Sequence, residues 1–91
     1  MADLDTIKSF IGEIAQRPKN VTLDEIEWVV NQLRDNHGYA VASRKTKHCL
    51  LFRVRDQRFG VNVHNPGNKQ VKGYSVKEFL SAMIELELYE G

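Results

Sequence analysis

The spacing of apolar residues changes twice along this chain, and this change constrains the fold more than any other feature of the sequence. Over residues 4–37 apolar residues recur every three or four positions, as they do along one side of an α-helix. Over residues 39–64 they alternate with polar residues, as in β-strands that are buried on one face. Helical spacing returns over residues 76–86. The sequence therefore predicts an α+β domain with the order α-α-β-β-β-α, in which helices cover one face of a three-stranded antiparallel sheet.

Residues typical of helix ends set the predicted bounds of the helices. A hydroxyl or carboxylate side chain before a helix accepts hydrogen bonds from its first turn, and a glutamate three positions later completes a capping box. Asp3 stands before the first predicted helix, and Pro18 stops that helix at Arg17. Gly38 is suited to the left-handed residue that closes the second helix. The predicted capping boxes of the second and third helices are Thr22 with Glu25 and Ser75 with Glu78.

The alternating region divides into three predicted strands. Their bounds are residues 39–43, 48–55 and 58–64. In the second strand apolar residues take the even positions from Leu50, whereas Arg53 and Arg55 take odd positions, so one face of the sheet is apolar and the other carries arginines. Asp56 and Gln57 form the predicted turn into the third strand.

Positive charge is concentrated in the middle of the chain. The net charge of all 91 residues is only +1, but residues 41–77 hold nine lysines and arginines and one aspartate. The segments on either side are acidic. A segment this basic indicates an anionic partner, most commonly a nucleic acid. The alternative is a solvated basic face that the acidic helices balance.

Other features of the sequence narrow the class of protein. The length fits a single domain over residues 1–91, with a helix and linker up to residue 20 and a core from residue 21. No apolar run reaches the length of a membrane span, and the N-terminus lacks the features of a secretory signal. Cys49 is the single cysteine, and no cysteine or histidine cluster has zinc-site spacing. We therefore expect a cytoplasmic protein that has neither a metal nor another cofactor.

Three features of residues 22–88 together resemble a known family. The second helix ends in Gly38-Tyr39 and leads into a strand, and a basic turn over residues 44–48 precedes the next strand. The residues at 59–69 read Phe-Gly-Val-Asn-Val-His-Asn-Pro-Gly-Asn-Lys. In this order and spacing they resemble the HicA toxins, small bacterial proteins that cleave mRNA and have a fold like the double-stranded-RNA-binding domain. The chain departs from the family in its additional N-terminal helix and in Lys47, which stands where the family has serine.

The resemblance implies a metal-independent endoribonuclease from a toxin–antitoxin pair, with mRNA as substrate and a cognate antitoxin protein as partner. By transfer from the family motif, His48 is the candidate general base, although its parity with Leu50 and Phe52 equally favours a buried histidine bonded to backbone. Basic residues around it are candidates for binding RNA phosphates. These are Arg44, Lys45, Lys47, Arg53, Arg55, His64, Lys69 and Lys72. Two alternatives remain open, a noncatalytic RNA-binding module and a small protein-interaction domain that docks a partner through its N-terminal helix.

Overall fold

The computed structural model describes residues 2–47, 49–64 and 69–91. The helices are α1 (Leu4–Gln16), α2 (Leu23–His37) and α3 (Gly73–Glu85), and the strands are β1 (Val41–Lys45), β2 (Leu50–Val54) and β3 (Gln57–Val61). The strands form one antiparallel sheet in the order β1-β2-β3. The predicted α+β class and the order of the elements are therefore confirmed.

Alternation along β2 and β3 separates the two faces of the sheet. Phe52 and Phe59 lie directly opposite each other and are buried, with their ring centroids 5.3 Å apart. Phe79 of α3 packs edge-on against Phe59 at 5.5 Å, so this face meets the helices. On the other face Arg53 and Arg58 are exposed. The prediction of one apolar and one arginine-bearing face is confirmed.

The N-terminal helix belongs to the core of the domain. Ile7, Ile11 and Ile14 of α1 are fully buried, and the helix packs against both α2 and α3. The apolar stripe of α1 is therefore covered by the rest of the chain. This arrangement leaves its central residues unavailable to a partner protein, which removes the basis for docking through that stripe.

The ends of α1 and α2 follow the sequence prediction. The Asp3 carboxylate accepts a hydrogen bond from the Thr6 N–H at 2.8 Å, and this bond holds the pKa of the Asp3 carboxyl below its ordinary value. Thr22 and Glu25 form the predicted capping box, and Gly38 closes α2 with a φ of 70°. These helix ends are predictable because each cap residue binds backbone groups that lie within one helical turn of it.

The predicted capping box of α3 is wrong. This helix begins at Gly73 with Lys72 as its N-cap, and no side chain caps it. The two side chains assigned to the box bind the edge of β3 instead: the Ser75 hydroxyl accepts from the Asn62 N–H at 2.9 Å, and the Glu78 carboxylate accepts from the Gly60 N–H at 3.4 Å. Both side chains therefore bind backbone groups that are distant in sequence, instead of capping their own helix.

The strands also begin at different residues from those predicted. Both β1 and β2 start two residues later than predicted. The Thr46 hydroxyl and backbone bind Cys49 and close the turn between the two strands, so β1 ends at Lys45 and β2 begins at Leu50. The turn between β2 and β3 uses Arg55 and Asp56, since Val54 pairs with Gln57. Arg55 adopts a φ of 57°, and its guanidinium lies 3.7 Å from the centre of the Tyr39 ring.

Beyond β3 the chain continues as isolated bridges, so the predicted third strand ends early. Val63 pairs with Val71, and the Val71 N–H donates to the Val21 carbonyl oxygen at 2.8 Å. The segment over residues 69–72 therefore lies between the end of the sheet and the start of α2. The turn predicted at Pro66 and Gly67 falls outside the described residues.

Candidate nucleic-acid interface

A groove of about 740 Å³ lies between the first half of α2 and the connection from β1 to β2. Apolar residues of the helix and the sheet line part of it, and polar or charged residues line the rest. The apolar residues are Leu23, Leu50, Val61 and Val63. The remaining lining residues are Glu27, Lys45, Thr46, Lys47, Cys49 and Lys69. Three lysines thus border a surface that is partly apolar.

The turn between β1 and β2 positions two of these lysines. Thr46 donates its hydroxyl hydrogen to the Cys49 carbonyl oxygen at 2.9 Å, and its hydroxyl oxygen accepts from the Cys49 N–H at 3.1 Å. These bonds fix the two ends of the turn relative to each other. Lys45 lies on the helix side of the sheet, opposite Leu50, but it is exposed because it belongs to the edge strand. Lys47 follows within the turn and is exposed as well.

The third lysine, Lys69, belongs to a separate part of the chain. The Lys69 carbonyl oxygen accepts from the Leu23 N–H at 2.9 Å, which fixes this segment at the start of α2. The Lys69 ammonium lies 3.5 Å from a carboxylate oxygen of Asp24, and both side chains are largely exposed. The tertiary fold therefore brings Lys69 to the same groove as Lys45 and Lys47.

His48, the candidate general base, lies outside the described residues. Its neighbours in sequence, Lys47 and Cys49, both line the groove. Glu27 is the acidic residue among those that line the groove, and the sequence analysis did not single it out. Its position four residues after Leu23 on α2 is the pattern that could have indicated it. The catalytic assignment of His48 stays a prediction.

Arg44 and Arg53 lie on the opposite side of the sheet from Lys45. They line a separate, shallow pocket of about 360 Å³ on the open face, which is the side of the sheet opposite the helices. Arg58, Leu51, parts of neighbouring strands and one acidic residue, Glu78 of α3, also line it. Sequence reasoning missed Arg58, because only the pairing of β2 with β3 shows that it lies directly opposite Arg53. The predicted set of phosphate-binding residues is thus divided between two faces.

The other three predicted residues line neither surface. Arg55 stacks on Tyr39 in the turn between β2 and β3. His64 is exposed beyond the end of β3, where its N–H donates to the Gln70 carbonyl oxygen at 2.8 Å. The Lys72 N–H donates to the Asn62 carbonyl oxygen at 2.8 Å, at the start of α3. None of the three residues lines the groove or the pocket on the open face.

Most of the basic segment has no carboxylate partner. Within residues 41–47, 49–64 and 69–77, Lys69 is the one base that forms a salt bridge. The Arg17 guanidinium binds the Glu25 carboxylate with one contact at 3.0 Å and, together with the cap hydrogen bonds, holds the pKa of Glu25 below its ordinary value. Since this pair joins the α1–α2 linker to α2, it compensates no charge at the groove or on the open face. The bases of both surfaces other than Lys69 therefore form no salt bridge in the described chain and are available to an anion.

The described residues contain neither a metal-ligand cluster nor a membrane-spanning helix. No group of three or more histidine, cysteine, aspartate or glutamate side chains in that part of the chain is placed to hold a metal ion. Its helices are also too short or too polar for any one of them to span a membrane.

Comparison of the chain with family models, with curated proteins and with solved structures gave no match. The likeness to HicA toxins therefore depends on the motifs quoted above and on their order along the chain.

Proposed function

We propose that this protein binds RNA in the groove between α2 and the β1–β2 turn. The observation that carries the proposal is the convergence of Lys45, Lys47 and Lys69 from two separate segments onto one groove. Lys45 and Lys47 form no salt bridge within the described chain. Ammonium groups placed in this way bind phosphates, and the apolar part of the groove suits ribose or base surfaces.

A second candidate function, RNA cleavage, is favoured by the position of the turn. Lys47 and Cys49, the neighbours of His48 in sequence, line the groove in which we propose that RNA binds. In this proposal His48 removes the proton from a ribose 2′-OH, and the oxygen attacks the adjacent phosphorus. Lys47 stabilises the negative charge that develops on the phosphorane. The bond from phosphorus to the 5′ oxygen then breaks as that oxygen takes up a proton, so the products are a 2′,3′-cyclic phosphate and a free 5′-OH.

RNA binding is tested by fluorescence anisotropy with a labelled single-stranded RNA over a range of salt concentrations. Replacing both Lys45 and Lys47 with glutamine should weaken binding and reduce the slope of log K against log salt by about 1.4, since each phosphate contact to a single strand contributes about 0.7. Lys8→Gln is the matched control, because Lys8 is an exposed lysine of α1. Equal slopes for the control and the double variant would contradict binding in the groove.

Cleavage is tested by incubating the protein with a long mRNA in the presence of EDTA. His48→Ala should reduce the cleavage rate by about 10²- to 10⁴-fold, the usual loss when a general acid–base catalyst is removed. It should leave circular dichroism and RNA affinity nearly unchanged, and His64→Ala provides a control at an exposed histidine that does not line the groove. Undiminished cleavage by His48→Ala would exclude its role as the base. A wild-type protein that binds RNA without cleaving it would favour the noncatalytic RNA-binding module.

A further inference from the structure

The two edges of the sheet differ in how their backbone groups are satisfied. At the β3 edge, the outward N–H groups of Gly60 and Asn62 donate to side chains of α3. At the β1 edge no helix plays this part, and Ala42–Lys45 are exposed. The β3 edge is therefore closed to another strand, whereas the β1 edge is open.

Hydrogen bonds at the two ends of β1 identify the groups that this edge presents. The Ala40 carbonyl oxygen accepts from the Arg55 N–H at 2.7 Å, and the Thr46 N–H donates to the Cys49 carbonyl oxygen at 2.8 Å. Because inward and outward groups alternate along an antiparallel strand, even-numbered residues from 40 to 46 face β2. The outward residues are Val41, Ser43 and Lys45. Their backbone N–H and C=O groups form no hydrogen bond elsewhere in the described chain.

Positive charge lies beside this edge, on the open face of the sheet. Arg44 projects there from β1 itself, and Arg53 projects from β2 opposite Ala42. The alanine side chain is too short to cover its neighbour, so the guanidinium of Arg53 is accessible from the β1 edge. Neither arginine forms a salt bridge in the part of the chain that is described.

The same face also presents an exposed apolar side chain. Leu51 lies opposite Arg44 and is 42% exposed, which makes it one of the large hydrophobic residues left uncovered by the fold. An occupant of this face should therefore combine negative charge with some apolar surface, and its backbone should form hydrogen bonds at the spacing of a β-strand.

We infer that the β1 edge binds an acidic, extended segment of another protein, which adds to the sheet as a fourth strand. Its backbone pairs with the outward groups of Val41, Ser43 and Lys45. Its alternate side chains, opposite Ala42 and Arg44, share the open face, and acidic residues at these positions bind Arg44 and Arg53. This surface shares only Lys45 with the groove residues, and the inference does not depend on RNA binding.

Charge and backbone chemistry favour this occupant over two others. A second copy of this chain pairing through the same edge would bring two copies of Arg44 and Lys45 together, and bases on an edge strand oppose such pairing. RNA would satisfy the arginines, but its backbone lacks the regularly spaced N–H and C=O groups that a strand edge binds. An acidic polypeptide satisfies both the arginines and the edge.

The test uses a labelled peptide that alternates glutamate and valine, with a control peptide N-methylated at alternate amides on its pairing edge. The control keeps the charge but cannot pair as a strand. We expect the unmodified peptide to bind at low salt and to slow amide hydrogen exchange at Ser43 and Lys45 at least tenfold, with the methylated peptide showing neither effect. Replacing both Arg44 and Arg53 with glutamine should weaken binding about tenfold, since an exposed ion pair contributes about threefold. Lys8→Gln and Lys47→Gln should bind the peptide normally.

Three results would overturn the inference. The methylated peptide binding as tightly as the unmodified one would show that charge alone is recognised. Exchange at Ser43 and Lys45 that slows with protein concentration, in the absence of peptide, would show that a second copy occupies the edge. RNA affinity that falls in the Arg44 and Arg53 double variant, with no binding of the acidic peptide by the wild type, would show that this face binds RNA.

Discussion

Arg53 and Arg58 should repel each other in the free protein, and this repulsion is measurable. They are directly opposite across β2 and β3. The Gly60 N–H points away from β2 to Glu78, so the Arg58 N–H, two residues earlier, points the same way. The two arginines therefore form a pair without mutual backbone hydrogen bonds, in which Cβ atoms are about 4.5–5.5 Å apart.

Coulomb's law sets the size of the effect. Two unit charges about 7 Å apart in water repel by about 0.6 kcal/mol, and two flexible side chains that avoid each other reduce this figure somewhat. Single replacements also change strand propensity, which obscures the electrostatic contribution. A double-mutant cycle of Arg53→Gln, Arg58→Gln and the double variant removes such terms. We expect an unfavourable coupling free energy of about 0.5 kcal/mol between the two arginines.

The assay is urea unfolding of the four proteins at low salt and at about 1 M salt. The coupling should nearly vanish at high salt, where the Debye length is about 3 Å. A cycle between Arg53 and the distant Lys8 should be additive under both conditions. A zero or favourable coupling between Arg53 and Arg58 at low salt would refute the reasoning, because it would mean that the two side chains do not face each other.

The same repulsion links stability to binding. If an anion relieves it, Arg53→Gln should raise the stability of the free protein slightly while weakening its affinity for an acidic partner. Opposite changes of this kind are typical of residues kept for binding at some cost to the fold. A replacement that changed both properties in the same direction would indicate a purely structural arginine.

Two further predictions concern the contacts that hold the helices. Glu25→Gln should lower the free energy of unfolding by about 0.5–1 kcal/mol at neutral pH, because it removes a carboxylate that binds Arg17. The pKa of Glu25 is lower in the folded protein than in the unfolded chain. This contribution to stability is therefore complete above about pH 4.3, where an unfolded glutamate titrates, and it is lost as the pH falls through the folded pKa. A difference in stability between the two proteins that persisted in strong acid would contradict this prediction. Ser75→Ala should cost about 1–3 kcal/mol in thermal or urea unfolding, because the Asn62 N–H loses its acceptor. The exposed Ser81→Ala on the same helix should cost less than about 0.5 kcal/mol, and equal losses would contradict the assignment.

The class of fold and the two faces of the sheet were predictable because they depend on periodicity. Shifting the turn between β2 and β3 by one residue changes which residues pair but leaves each side chain on its own face. Phe52 therefore remains buried, and Arg53 remains exposed, whether the turn is at Asp56-Gln57 or at Arg55-Asp56. Parity fixes burial even where the register is wrong.

The pairing of particular residues was not predictable from the same pattern. Arg55 adopts a left-handed φ that favours glycine, and its stacking on Tyr39 across the sheet helps to hold it there. No local sequence pattern predicts a contact between these two residues. Because this turn sets the register, no pattern in the sequence indicates that Arg58 lies opposite Arg53. The error at Ser75 has a similar origin, since a buried hydroxyl binds the β3 edge rather than its own helix.

Basic residues adjacent in sequence can serve different surfaces, and the salt dependence of RNA binding reports which surfaces take part. Arg44 and Lys45 are neighbours, yet they project from opposite faces of the sheet. If RNA occupies only the groove, three lysines contact phosphates and the slope of log K against log salt should be near −2 for a single strand, at about 0.7 per contact. If RNA instead crossed the β1 edge to reach Arg44, Arg53 and Arg58 as well, six contacts would give a slope near −4. Titrations at several salt concentrations separate these values. A slope near −4 would place RNA over the β1 edge and would contradict the binding of an acidic strand there, because RNA would cover that edge and occupy Arg44 and Arg53.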